Sequence, residues 1–259
     1  MLSVAAVVLG AAAAAAIVVS LPMANGLVGA HAAGADCAAP PSVLEYGAPL
    51  SHVGKRLAKG LPVRIVAIGS SSTWGVGASD WQHSYPSQLA AKLQRHFPHN
   101  PITVENKGIS GEETGQMLAR FDRDVLTERP DLVVWQIGSN EILRGHDPSL
   151  FRRQAEEGVK RLTQAGIDVV LMDVQYSPRL LKNPQAALFN DILRDIAAKS
   201  KLALLDRFEA MHYWVASGQM ELAELVTKDD LHMTDTGYRC TGELLAKLIE
   251  DDLPKLAAQ

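Results

Sequence analysis

Basic charge is in short supply in this chain: 25 Lys and Arg face 29 Asp and Glu, leaving a net charge of −4 over 259 residues. Without a basic surplus there is no electrostatic footprint for gripping phosphate backbones, so no nucleic-acid partner is expected. Cysteine is scarcer still, with only Cys37 and Cys240. There is no H-E-x-x-H motif and no Cys/His cluster, so although Asp229 and His232 could serve as ligands, nothing supplies a third and fourth, and neither a metal nor another cofactor is expected. No fixed-period repeat and no low-complexity tract occurs beyond an Ala-rich leader. Charged side chains are missing altogether from residues 1–32. That segment is dominated by Ala and Val and ends in Ala30-His31-Ala32, a small-x-small pattern that fits signal-peptidase cleavage. Export to the periplasm or the medium is the expectation. No Lys or Arg precedes the apolar run, and residues 4–21 are long enough to remain as a membrane anchor. Asp36 in front of Cys37 does not fit a lipoprotein cleavage motif.

What is present is enough apolar side chain, 47% of the residues against 21% charged, to bury one sizeable core in one principal domain. Residues 33–61 are rich in Ala, Pro and Gly without sustained periodicity, and read as a tail with at most one short helix near Pro49–Lys59. From residue 62 to 259, short β-branched or leucine-rich runs alternate with longer amphipathic ones, the pattern of parallel strands joined by crossover helices. The strands are predicted at Val63–Gly69, Ile102–Asn106, Leu132–Gly138, Val169–Val174 and Leu202–Asp206. The helices are predicted at Tyr85–Phe97, Glu113–Glu128, Ser149–Ala165, Pro184–Ser200 and Thr234–Leu253. This is an α/β fold with a five-stranded parallel sheet between two helical layers. The two cysteines would lie near the ends of the mature chain, where an oxidising compartment invites a bridge; two unpaired thiols are the alternative.

In a doubly wound sheet ligands bind beyond the carboxyl ends of the strands. There the sequence places Gly69-Ser70-Ser71-Ser72-Thr73-Trp74-Gly75, then Asn106-Lys107-Gly108-Ile109-Ser110-Gly111, then Gly138-Ser139-Asn140-Glu141, and late in the chain Asp229-Asp230-Leu231-His232. In order, spacing and position after the strands, the four blocks resemble those of the SGNH hydrolases, the GDSL esterases and lipases, over residues 63–248. The resemblance implies a flavodoxin-like, three-layer α/β/α fold and a serine esterase. It also implies Ser71 as nucleophile, Asp229 and His232 as its partners, and an oxyanion hole formed by the N–H of Ser71, Gly111 and the Asn140 amide. Two positions depart from the family pattern: Ser70 stands where that family has Asp, and Glu141 where Asp often follows the Asn. Neither is the nucleophile or a donor, so altered packing is expected there and not lost chemistry.

The chemistry has its own logic. A serine hydroxyl is a weak nucleophile until a neutral imidazole takes its proton, and the imidazole needs a partner that fixes its tautomer. Acyl transfer also needs donors aimed at the developing oxyanion. Ser70 and Ser72 are rival nucleophiles, Asp230 is the rival acid, and helix capping or turn formation is the non-catalytic role open to Ser71, Gly111, Asn140 and Asp229. No G-x-S-x-G surrounds Ser71, which argues against an ordinary α/β-hydrolase. For substrate, deacetylation or short-chain deacylation of carbohydrate is favoured, because no long apolar lid is evident. A lysophospholipase or thioesterase, and a noncatalytic polysaccharide-binding module of the same fold, are the alternatives. Trp74, Trp81, Tyr85, Tyr176, Tyr213 and Trp214 are candidates for stacking on sugar rings, or for the core.

Overall fold

The apolar runs are strands. In a computed structural model that describes residues 36–45 and 47–257, they form β1 (Leu44–Glu45), β2 (Val63–Gly69), β3 (Ile102–Gly108), β4 (Leu132–Gln136), β5 (Asp168–Met172) and β6 (Ala203–Leu205). The predicted leader, residues 1–32 with the candidate anchor at 4–21, lies outside the described residues. The sheet order is β1-β6-β5-β4-β2-β3. Strands β2 to β6 pair in parallel, so the five-stranded parallel sheet is present. An antiparallel edge, Leu44 opposite Leu205, adds a sixth strand that two residues are too short to announce.

Along the helices the chain runs α1 (Ser51–Ala58), α2 (Ser71–Trp74), α3 (Tyr85–His96), α4 (Thr114–Ala119), α5 (Ser139–Arg144), α6 (Pro148–Gln164), α7 (Pro178–Leu181), α8 (Ala186–Ser200), α9 (Arg207–Ala216), α10 (Leu222–Leu225) and α11 (Asp235–Ala257). Successive strand side chains point to opposite faces. Ile65, Ala67, Val134 and Met172 therefore join one buried cluster with α1, α3, α9 and α11. Val66, Ile68, Val133, Trp135 and Leu171 join another with α4, α6 and α8. Because both faces are covered, the strands read as nearly continuous apolar runs rather than alternating ones.

Two expectations change. The helix predicted over Glu113–Glu128 is broken: α4 stops at Ala119, and residues Asp122–Leu126 form a wider turn in which Thr127 N–H reaches back to Asp122 O at 3.0 Å. The cause sits at the break, where the buried Arg120 guanidinium turns inward onto Glu112 (2.6 Å), Asp124 (2.9 Å) and the carbonyl of Lys107 (2.8 Å). The second change concerns the tail. Its described part is built into the core through Cys37, Val43, Leu44, Leu50, Val53 and Leu57, and the compact unit runs over Ala35–Gln259, so the boundary drawn at residue 62 falls inside it. The backbone N–H groups of His52 and Val53, at the start of α1, bond to the Asp168 carboxylate at 2.8 and 3.0 Å, supplying acceptors that a helix start lacks on its own. Cys37 and Cys240 are joined in a disulfide with Cα atoms 5.0 Å apart, fastening the segment to α11. Among the described residues no helix is long and apolar enough to cross a membrane.

Candidate active site

Three of the four sequence blocks lie directly after the carboxyl ends of β2, β3 and β4, and the fourth lies between α10 and α11. Strand β2 ends at Gly69, and the chain turns at Ser70 into α2, whose first residue is Ser71. Gly108, at the end of β3, is what lets α2 lie there. A Cβ on it would fall 2.2 Å from the backbone N of Trp74 and 2.6 Å from the carbonyl carbon of Thr73, so only glycine fits. Asn106 fastens the same turn, its amide donating to Thr73 O at 2.7 Å.

The fourth block is a loop closed on itself. Asp230 N–H bonds to Thr227 O at 3.0 Å and Thr227 N–H to His232 O at 2.8 Å, with Asp230 in the left-handed region at φ 62°. Within it one oxygen of Asp229 accepts from the Thr227 hydroxyl (2.7 Å) and from the N–H groups of Leu231 and His232 (2.9 Å each). The other oxygen meets His232 Nδ1 at 2.5 Å, and His232 Nε2 lies 3.0 Å from Ser71 Oγ. A carboxylate only accepts, so the imidazole proton sits on Nδ1 and Nε2 is left free to accept one. Partial burial works against the charge of Asp229, but the bonds from the His232 ring and backbone, Thr227 and Leu231 outweigh it and hold the carboxyl well below the usual range. Ser71, His232 and Asp229 thus stand in one hydrogen-bonded line. The rivals point elsewhere: Ser70 Oγ bonds to Gln136 Oε1 at 3.1 Å and Ser72 Oγ to Gln175 Oε1 at 3.4 Å, and Asp229, not Asp230, meets the imidazole.

The third block is bonded to the residue that follows the second. Asn140, in the first turn of α5, donates one amide hydrogen to Glu112 O at 2.7 Å; a side-chain amide carries two, so one remains for an outside acceptor. Gly111 adopts φ +84°, and a Cβ there would meet nothing closer than Arg144 Nη2 at 3.8 Å. Conformation, and not crowding, is what selects glycine at 111. Its carbonyl accepts from Arg144 at 3.0 Å. The departure at Glu141 has a clear use: its buried carboxylate accepts from both the backbone N–H and the hydroxyl of Thr114, at 2.5 Å each, which binds α4 to α5.

Sequence reasoning passed over the layer underneath. Gln136 accepts from both the N–H and the hydroxyl of Ser70 (3.0 and 3.1 Å). Gln175 and Arg207 are equally buried. A glutamine closing the run Leu-Val-Val-Trp-Gln was the available signal, because a polar side chain in a strand covered on both faces must find a partner. Of the six aromatics, Tyr85 and Trp214 are core residues, and Tyr176 packs edge-on against Phe208. Trp74 and Trp81 are exposed at 60% and 74%, and Tyr213 is exposed as well. Among the described residues no group of three or more His, Cys, Asp or Glu side chains could hold a metal ion.

Comparison with known proteins agrees with this architecture. An arylesterase from Vibrio mimicus is 31% identical over 127 residues, which are 49% of this chain and 62% of the relative. An uncharacterized lipoprotein, YqeF, from Bacillus subtilis (strain 168) is 25% identical over 214 residues, covering 69% of this chain and 86% of that one. The solved structure of a two-domain esterase active on acetylated mannans superposes with a TM-score of 0.65 at 25% identity, covering 81% of this chain and 53% of that chain. This chain therefore spans less than two thirds of the arylesterase and about half of the two-domain esterase. The model of the non-GDSL lipase-like family matches residues 36–255, and the chain belongs to that family.

Proposed function

We propose that this chain is a serine carboxylic-ester hydrolase, working through an acyl-enzyme on Ser71 with His232 as general base and Asp229 as its partner. The observation that carries the reading is the line Ser71 Oγ to His232 Nε2 (3.0 Å) and His232 Nδ1 to Asp229 (2.5 Å). As Oγ attacks the ester carbonyl carbon, Nε2 takes the hydroxyl proton, and Asp229 stabilises the imidazolium. The carbonyl oxygen becomes an oxyanion facing the Ser71 N–H, the Gly111 N–H and the free amide hydrogen of Asn140, donors whose individual loss typically costs about 2.7 to 4 kcal/mol. Collapse expels the alcohol, protonated by His232, and water then attacks the acyl-enzyme through the same imidazole. No step calls for a cofactor.

The substrate reading is an acetyl or other short acyl group on carbohydrate. It is supported by the relatives, one an arylesterase and one active on acetylated mannans, and by exposed Trp74 and Trp81, which suit a sugar face. Export is supported by the uncharged leader and by the disulfide, a bond that persists in oxidising compartments. The test is hydrolysis of aryl esters of increasing chain length by the parent and by Ser71→Ala. Activity highest on acetyl and abolished in Ser71→Ala is expected. Activity that survives the substitution removes Ser71 from the mechanism, and a maximum at long chains redirects the substrate towards lipids.

A further inference from the structure

Three residues of the proposed site, Ser71, Asn140 and His232, each have a neighbour in sequence that bonds to one buried amide. Gln175 follows β5 and is 1% exposed. Its Oε1 accepts from Ser72 Oγ (3.4 Å), next to Ser71, and from Ser139 Oγ (3.2 Å), next to Asn140. Its Nε2 donates to the carbonyl of Leu231 (3.0 Å), next to His232. Three loops from distant parts of the chain, carrying nucleophile, oxyanion donor and base, therefore meet on a single side chain.

Arg207 sets the direction of that amide. It opens α9, is fully buried, and donates through Nη2 both to Gln175 Oε1 (3.1 Å) and to the carbonyl of Asp173 (2.7 Å). A reversed amide would set NH2 against the guanidinium and a carbonyl against the Leu231 carbonyl, so this arrangement leaves one orientation. The Asp173 side chain makes no hydrogen bond to the guanidinium: one carboxylate oxygen accepts from Phe208 N–H at 3.1 Å, and it acts on Arg207 through its charge.

We propose that Gln175, oriented by Arg207, is the positioning residue that holds Ser71, Asn140 and His232 in mutual register. The inference rests on the esterase reading above. In a buried network the removal of one member leaves several partners unsatisfied, and shifts near 1 Å in reacting groups can cost about a hundredfold in rate. The effect should fall on turnover, because Gln175 sits beneath the site and touches no substrate.

The experiment uses the full chain and an acetyl ester, with Ser71→Ala as the reference. Gln175→Met removes all four bonds. Gln175→Glu keeps an acceptor for Ser72, Ser139 and Arg207 and loses only the donor to Leu231. Ser72→Ala and Ser139→Ala each remove one donor with little threat to folding. The expected result is a fall in kcat of about 10- to 100-fold for either Gln175 variant that folds. KM should be little changed, losses in the two serine variants smaller, and thermal midpoints of the serine variants near the parent's. In the Gln175→Met background, where their shared acceptor is already gone, the serine substitutions should no longer act additively. If Ser71→Ala abolishes activity while the folded Gln175 variants turn over like the parent, this inference alone is overturned. If neither Gln175 variant folds, parental kcat in both serine variants and in their double mutant overturns it, and a fall in kcat at parental thermal midpoint supports it. Activity surviving in Ser71→Ala overturns the underlying reading.

Discussion

Asp229→Asn is the most discriminating perturbation of the proposed relay, because the structure lets most of the loop survive it. The oxygen that accepts from Thr227, Leu231 and His232 N–H is kept by asparagine, so the turn from Thr227 to His232 should hold. What changes is the other atom, 2.5 Å from His232 Nδ1, where an acceptor becomes an NH2 donor. The imidazole then answers with an acceptor at Nδ1, which puts its proton on Nε2, 3.0 Å from Ser71 Oγ. A protonated Nε2 cannot take the hydroxyl proton. The equivalent change in a Ser-His-Asp triad lowers kcat by about 10⁴ through the wrong tautomer, which is roughly 5.5 kcal/mol of barrier. The assay is steady-state hydrolysis of an aryl acetate beside a thermal melt, with Asp230→Asn as control. Asp230 sits at φ 62°, a region asparagine tolerates, and its carboxylate does not meet the imidazole, so that variant should stay within about twofold of the parent. An Asp229→Asn enzyme with more than about a tenth of parental kcat, melting normally, would refute the relay.

Gly108→Ala should both destabilise, by roughly 1–3 kcal/mol of overpacking, and depress turnover, since the new Cβ would lie 2.2 Å from Trp74 N on α2, the helix that carries Ser71; unchanged melting and activity would disprove the packing argument. Reducing Cys37–Cys240, which closes a separation of 203 residues, should lower unfolding free energy by as much as about 5 kcal/mol on the loop-entropy model; the check is urea denaturation with and without reductant, and identical midpoints would count against it. The folded-state carboxyl of Asp229 is depressed below its ordinary 3.8, so the stability that it contributes is present above pH 3.8 and lost only as pH falls through its lower folded value; the check is urea denaturation against pH beside Asp229→Asn, and a stability difference already gone at pH 3.8 would contradict it. Ser70→Asp should leave turnover of the folded enzyme broadly similar while lowering its stability by at least about 1–3 kcal/mol, because it sets a buried carboxylate against the Gln136 oxygen; a large fall in kcat at parental stability would overturn that division.

The strands were legible because burial on both faces leaves a mark on every residue: Ile65, Val66, Ala67 and Ile68 are all buried, two on each face. The candidate site was legible for a different reason, since its chemistry demands particular residue types where strands end. What sequence could not supply was anything decided by contact. Strand β1 exists because Leu44 finds Leu205, and α4 ends where Arg120 finds Glu112 and Asp124. The choice between Asp229 and Asp230 is made by a turn that throws Asp230 into the left-handed region.

The three consecutive serines show the limit most sharply. As letters, Ser70, Ser71 and Ser72 are interchangeable; in the structure Ser70 precedes α2 with a non-helical backbone, while Ser71 and Ser72, its first two residues, are rotated roughly 100° from one another. Ser70 turns down to Gln136, Ser71 out to His232 and Ser72 sideways to Gln175. The buried layer is polar for the same reason that the sequence hides it: Gln136 and Gln175 lie 66 and 103 residues from the serines they meet. Each buried amide counts one of those hydroxyls among its hydrogen-bond partners. An aspartate at position 70 would need donors where Gln136 now presents an oxygen. The serine at 70 and the glutamine at 136 are thus two halves of one solution: Ser70, standing where the SGNH pattern has Asp, braces the turn of Ser71 from below through Gln136.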